Sequence, residues 1–130
     1  MTERDYVAIV DDDASVRKAL GRLVTVFSYR VRTFASVREF LESLKADVPS
    51  CLIADLQMEE TTGLELQQHL QNTGSRIPTI VLTAHDEPGM QDRCADAGAI
   101  AFLVKPVAKD QLLEAIETAT GRRAGDETPA

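Results

Sequence analysis

Five short apolar runs alternate with five amphipathic stretches along this chain, and that alternation leaves few folds open. The runs are YVAIV (Tyr6 to Val10), YRVRTF (Tyr29 to Phe34), CLIADL (Cys51 to Leu56), IPTIVLTA (Ile77 to Ala84) and AIAFLV (Ala99 to Val104). Short apolar, β-branched runs of this kind suit strands covered on both faces, whereas the polar–apolar alternation of YRVRTF predicts a strand with one exposed face. Between them, residues 14–28 set Val16, Leu20, Leu23, Val24 and Phe27 at helical spacing. Residues 36–47 open on Ser36 as an N-cap, with Glu39 as its capping-box partner. Residues 63–73 space Leu64, Leu66 and Leu70 for an amphipathic helix that ends near Gly74. Pro88 suits the first turn of a helix running to Gly98 as its C-cap, and residues 108–120 form the last helix.

Strands separated in this way by helices predict one doubly wound α/β domain: a five-stranded parallel sheet with helices on both faces, in (βα)5 order. Right-handed crossovers bring the C-terminal ends of all strands to one edge, where such sheets bind their ligands. The ends are chemically distinctive. The first strand runs into Asp11, Asp12 and Asp13, the third ends at Asp55, the fourth at Thr83, and the fifth at Lys105 followed by Pro106. The second ends at Thr33 and Phe34 without a charge. Crowded carboxylates repel unless something positive sits among them. Mg²⁺ takes oxygen ligands and one or two protein carboxylates, and it clamps phosphoryl oxygens. Lys105 can reach the same oxygens as a point charge. Bland readings stand beside this one: Asp11 and Asp12 as a solvated turn, Asp13 as a helix N-cap, and Phe102 as plain core. His69 reads as solvated. His85 lies near the site and reads as exposed, and Gln57 stands two residues past Asp55.

Bulk properties exclude several classes. The 130 residues suit one domain, and 44% apolar with 27% charged residues reads as globular. A net charge of −7 argues against nucleic acid contact by this chain and against an anionic membrane surface. No apolar stretch approaches the roughly 20 residues that span a bilayer, and MTERDY lacks the apolar core of a secretory signal. Cys51 and Cys94 form no CxxC and read as reduced thiols of a cytoplasmic protein. The expected organisation is a domain over residues 1–121, with residues 122–130 (RRAGDETPA) a flexible tail or the start of a linker.

The blocks IVDDDASVR, IADLQMEETTGLEL, IVLTAH and AFLVKP, in this order, resemble the signatures of the response-regulator receiver domain, the CheY-like module of two-component signalling. The resemblance covers about residues 5–120, and GLELQ with IPTIVLTAH is most similar to the FixJ-type branch. It implies a flavodoxin-like sheet in strand order 2-1-3-4-5. It further implies that Asp55 is the phosphoacceptor, that Asp11, Asp12, Asp55 and the backbone carbonyl of Gln57 hold Mg²⁺ (or Mn²⁺ in its place), and that Lys105 pairs with Asp55 and then with the phosphoryl group. Thr83 would bond the phosphoryl oxygen, Phe102 would follow Thr83 as the switch aromatic, Ala84 would leave room, and Pro106 would be cis. The implied partner is a sensor histidine kinase, with a phosphorylation-dependent homodimer through helix 4, strand 5 and helix 5. The implied chemistry is no enzyme's turnover of an external substrate, only the domain's own phosphorylation and dephosphorylation, in the service of transcription regulation. The FixJ-type branch carries a DNA-binding domain beyond its receiver, so the chain is expected to be either a stand-alone regulator or one domain of a longer protein. One departure is QMEETTG, where Glu59 and Glu60 replace the family's usual proline-containing loop. Two competing readings remain: a small Mg²⁺-dependent phosphatase of the haloacid-dehalogenase type, suggested by DDDAS, and a degenerate receiver acting as a constitutive binding module, suggested by the two glutamates.

Overall fold

The computed structural model describes residues 6–58 and 61–121. Strands β1 (Val7–Val10), β2 (Val31–Phe34), β3 (Cys51–Asp55), β4 (Thr79–Thr83) and β5 (Ala99–Val104) alternate with helices α1 (Ala14–Val26), α2 (Val37–Ser43), α3 (Gly63–Asn72), α4 (Met90–Asp96) and α5 (Lys109–Thr120). All strands pair in parallel in the order β2-β1-β3-β4-β5. The three inner strands are fully buried, which explains their continuous apolar runs. Strand β2 lies at the edge, and the adjacent residues Arg32 and Thr33, which point to opposite faces, are both exposed, so exposure there is not confined to the one face that the alternating pattern predicts.

The two faces of the sheet are sorted by the period-two alternation of the strands. Val7, Ile9, Cys51, Ile53, Ile80 and Leu82 pack on one face with Val24 and Phe27 at the end of α1 and with Leu112 and Ile116 of α5. Ala8, Val10, Leu52 and Ala54 face the other way, onto Phe40 of α2 and Leu66 and Leu70 of α3. A third cluster joins Val81 to Leu64 of α3 and Cys94 of α4. Burial of each large side chain stabilises the fold by about 1.5–3 kcal/mol, and Phe40, Ile53, Leu66 and Ile116 are all 1% exposed or less.

Several boundaries differ from expectation for local reasons. Helix α4 begins at Met90, and its N-cap is Gly89 in the left-handed region at φ +81°, so Pro88 lies in the turn before the helix rather than in its first turn. Ser36 caps α2 by accepting from Glu39 N, but the Glu39 carboxylate accepts from Ala35 N rather than from the cap residue, so the reciprocal box is not formed. The helix stops at Ser43, and residues 44–46 form turns. A complete capping box occurs instead at Thr62 and Glu65, opening α3. Glu59, Glu60 and residues 122–130 lie outside the described residues. Among the described residues, no helix is long and apolar enough to cross a membrane.

Candidate functional site

Register decides which side chains meet at the sheet's C-terminal edge. Val10 of β1 pairs with Ala54 of β3, so Asp11 and Asp55, one residue on, reach the same level on neighbouring strands. Asp55 pairs in turn with Leu82, and Thr83 with Val104, which places Thr83 one step and Lys105 two steps further along the same edge. Carboxylates on adjacent parallel strands at one level cannot avoid each other. Asp11, Asp12 and Asp55 each place an oxygen within 4.8 Å of the others.

Local hydrogen bonds fix the three consecutive acids into different roles. Asp13 caps α1, its Oδ1 accepting from Ser15 N at 2.9 Å and Val16 N at 3.2 Å. Asp11 is 1% exposed, and its Oδ1 accepts from Asp13 N at 2.9 Å. The Arg17 guanidinium, one helical turn into α1, donates to the Asp11 backbone carbonyl at 2.8 Å. Asp12 is exposed. The opening cluster therefore divides into a helix cap, a buried acid and an exposed acid.

Lys105 reaches into the cluster from β5. Its Nζ lies 3.4 Å from Asp55 Oδ1 and 3.5 Å from Asp11 Oδ2. Its backbone N–H donates to Thr83 O at 2.7 Å, and the Lys105–Pro106 peptide is cis. Burial pushes the Asp55 carboxyl above the usual range, and the negative charge of Asp11 adds to that. Lys105 and the Gln57 N–H, which donates to Asp55 Oδ1 at 3.3 Å, pull it back without cancelling the rise. A buried carboxylate pair with one ammonium thus retains uncompensated negative charge. The donor atoms are all oxygens, the set that suits a hard divalent cation such as Mg²⁺ rather than a thiophilic metal.

Thr83, fully buried at the end of β4, sits in a dense polar knot. Its hydroxyl donates to His85 O at 2.8 Å and accepts from Gln57 Nε2 at 2.8 Å and His85 N at 3.1 Å. Gln57 Oε1 accepts from Ala84 N at 3.2 Å. Phe102 is half-buried on β5, beside Val81, and packs against the cluster of Leu56, Leu64, Cys94 and Ala97. His69 lies exposed on α3 and His85 is exposed beside Thr83.

The β3–α3 connection depends on Gly63. A Cβ there would stand 2.7 Å from Asp55 O and 3.0 Å from Leu56 Cα. Its N–H donates to Leu56 O at 3.0 Å, and Leu56 N donates to Leu82 O at 2.7 Å, so the loop after Asp55 is fastened to both α3 and β4.

The edge therefore brings together Asp11, Asp12, Asp55 and Lys105, with Thr83 and the Gln57 side chain adjoining and Phe102 behind. Sequence reasoning misses three contributors. Thr62 and Glu65 are readable as a T-x-x-E box. Arg17 bonding the Asp11 carbonyl, and the Gln57 amide spanning Thr83 and Ala84, leave no pattern in a single sequence.

Comparison with known proteins gives a consistent result. The family model for the response regulator receiver domain matches residues 7–117. The response regulator protein TmoT of Ectopseudomonas mendocina is 38% identical over 90% of this chain and 53% of its own length. The transcriptional regulatory protein TdiR of Thauera aromatica is 38% identical over 87% of this chain and 50% of its own. The crystal structure of FixJ-N superposes with a TM-score of 0.83 at 34% identity, covering 93% of this chain and 96% of that one. The chain spans about half the length of the curated relatives it matches.

Proposed function

The chain belongs to the response regulator receiver domain family, and from that premise we propose that Asp55 accepts a phosphoryl group from a sensor histidine kinase and that the acyl phosphate alters a protein–protein surface. The observation that carries this reading is convergence: acids from β1 and β3 and the amine from β5 share one site. In the reaction an Asp55 carboxylate oxygen attacks phosphorus, the new P–O bond forms, and the bond to the donor's leaving atom breaks. Phosphoryl transfer asks mainly for alignment and charge neutralisation. Lys105, whose ammonium lies 3.4 Å from Asp55 Oδ1, is assigned to supply positive charge beside the nucleophile and to pair with the incoming oxygens. Asp11, Asp12, Asp55 and the Gln57 carbonyl would hold Mg²⁺ (or Mn²⁺ in its place), which would supply further positive charge beside the buried acids.

The product carries about −1.5 to −2 charge where the carboxylate carried −1. Thr83 is the hydroxyl nearest the rim of β4 and is the donor we assign to the new oxygens. Phe102 shares the Thr83 side of the sheet and is assigned to follow it. Exposed Ile100 and Val104 on β5 support a phosphorylation-dependent homodimer through α4, β5 and α5. The acidic net charge supports DNA contact lying outside this chain. We further propose residues 1–121 as the receiver unit, residues 122–130 as tail or linker, and the cytoplasm as its place.

The haloacid-dehalogenase reading gains no support. The family match is to receivers, and Asp55, which that reading leaves idle, lies inside the acid cluster. Intact mass after incubation with Mg²⁺ and acetyl phosphate tests the proposal. Wild type gains one phosphoryl group and Asp55→Asn gains none; equal gains in both, or none in either, would overturn it.

A further inference from the structure

We propose that the Gln57 side chain is a latch on the Thr83 switch, holding the hydroxyl in its resting arrangement and opposing the phosphorylated one. The inference rests on the phosphoacceptor reading and deepens it. A threonine hydroxyl has one proton and two lone pairs. Here the proton goes to His85 O at 2.8 Å, nearer than Gln57 Oε1 at 3.1 Å, and the lone pairs take Gln57 Nε2 at 2.8 Å and His85 N at 3.1 Å. The hydroxyl is therefore saturated by local partners. It has nothing left to give to an oxygen on Asp55.

The orientation of the Gln57 amide is fixed by chemistry. The Ala84 backbone N–H can only donate, so the Gln57 atom 3.2 Å from it must be the acceptor Oε1, which leaves Nε2 facing Thr83. One exposed side chain thus clamps both polar groups at the head of the β4–α4 loop. A phosphoryl group adds acceptors and no donors. Turning Thr83 toward it breaks the bond from Nε2 and the bond to His85 O, and shifts Ala84 away from Oε1. Gln57 also donates its backbone N–H to Asp55 Oδ1 at 3.3 Å, so the latch and the nucleophile sit on one short segment. Gln57 acts through Thr83 and is a positioning residue.

Because the latch adds stability only to the resting state, its removal shifts the equilibrium toward the phosphoryl-bound state. Loss of the two Gln57 side-chain bonds corresponds to about a tenfold change. The test uses beryllofluoride with Mg²⁺, a phosphoryl analogue that does not hydrolyse, titrated into the whole chain by ¹⁵N–¹H NMR. Gln57→Met keeps length and loses both bonds. It should lower the half-saturating concentration about tenfold and move the unliganded Ala84 amide proton upfield. On a Thr83→Ala background only the Ala84 bond remains to be lost, so the same substitution should change half-saturation by clearly less, about threefold, and the difference between the two backgrounds measures the Thr83 bond. A folded Gln57→Met protein that binds no more tightly than wild type, or an equal gain on the Thr83→Ala background, overturns the latch. If wild type and Asp55→Asn respond alike, the phosphoacceptor reading falls, and the latch with it.

Discussion

Lys105 stands 3.4 Å from Asp55 although β4 lies between their strands. The contact spans the width of β4 because a lysine stem is long and its head can stay partly wet: the Lys105 side chain is 24% exposed, against 8% for Asp55. The same ammonium lies 3.5 Å from Asp11. One cation therefore serves two buried acids on separate strands.

Lys105→Met should leave those acids facing each other without their amine. Buried ion pairs lose about 3–5 kcal/mol when one partner is removed; partial exposure of Lys105 reduces this to about 1–2 kcal/mol. Thermal unfolding without divalent cations checks it, and added Mg²⁺ should restore part of the loss. The rate of phosphoryl gain should fall at least about tenfold through lost charge stabilisation.

Asp55→Asn should stabilise the resting protein. Burial and the Asp11 charge hold the folded Asp55 carboxyl above its ordinary value of 3.8. The folded state then binds more protons than the unfolded state over the interval above that value, so stability falls as pH rises through it. A neutral amide at this position removes the effect. The Asp55→Asn protein should unfold at a higher temperature than wild type at pH 7, and the gap should close as the solution is acidified below the ordinary carboxylate value. Paired melts across pH decide the matter.

Gly63→Ala should be costly although Gly63 lies in a helix, where alanine is normally preferred. The added Cβ meets backbone atoms, 2.7 Å from Asp55 O and 3.0 Å from Leu56 Cα, and neither can swing away as a side chain would. A loss of about 1–3 kcal/mol is expected, together with slower phosphoryl gain if Asp55 is the acceptor as proposed, since the clash bears on the Asp55 carbonyl. Urea unfolding gives the first quantity. A variant as stable as wild type would show that the loop relaxes freely.

The strand ends are legible because a parallel sheet converts sequence order into spatial convergence. Asp11, Asp55, Thr83 and Lys105 each terminate an apolar run, and register does the rest. Asp13 is readable as a cap for the same local reason. Pro88 misleads because its fixed φ suits a first helical turn, while Gly89 one residue later takes the left-handed cap that starts α4. Glu39 misleads by one peptide, bonding Ala35 N in place of the cap. The Gln57 knot is illegible for a deeper reason. It depends on the rotamer of an exposed side chain against a loop from another strand, 26 and 27 residues away. Periodicity carries no information about such contacts.

The phosphoryl bond is proposed to form on one particular carboxylate, that of Asp55, and chemical mapping of the modified residue is the decisive experiment. After Mg²⁺ and acetyl phosphate, borohydride reduces an acyl phosphate to an alcohol, and peptide mass spectrometry locates the reduced residue. Reduction is expected at position 55 alone, and chelating the metal should abolish it. Reduction at Asp11 or Asp12, or none at position 55 under conditions where the intact chain gains a phosphoryl group, would contradict it.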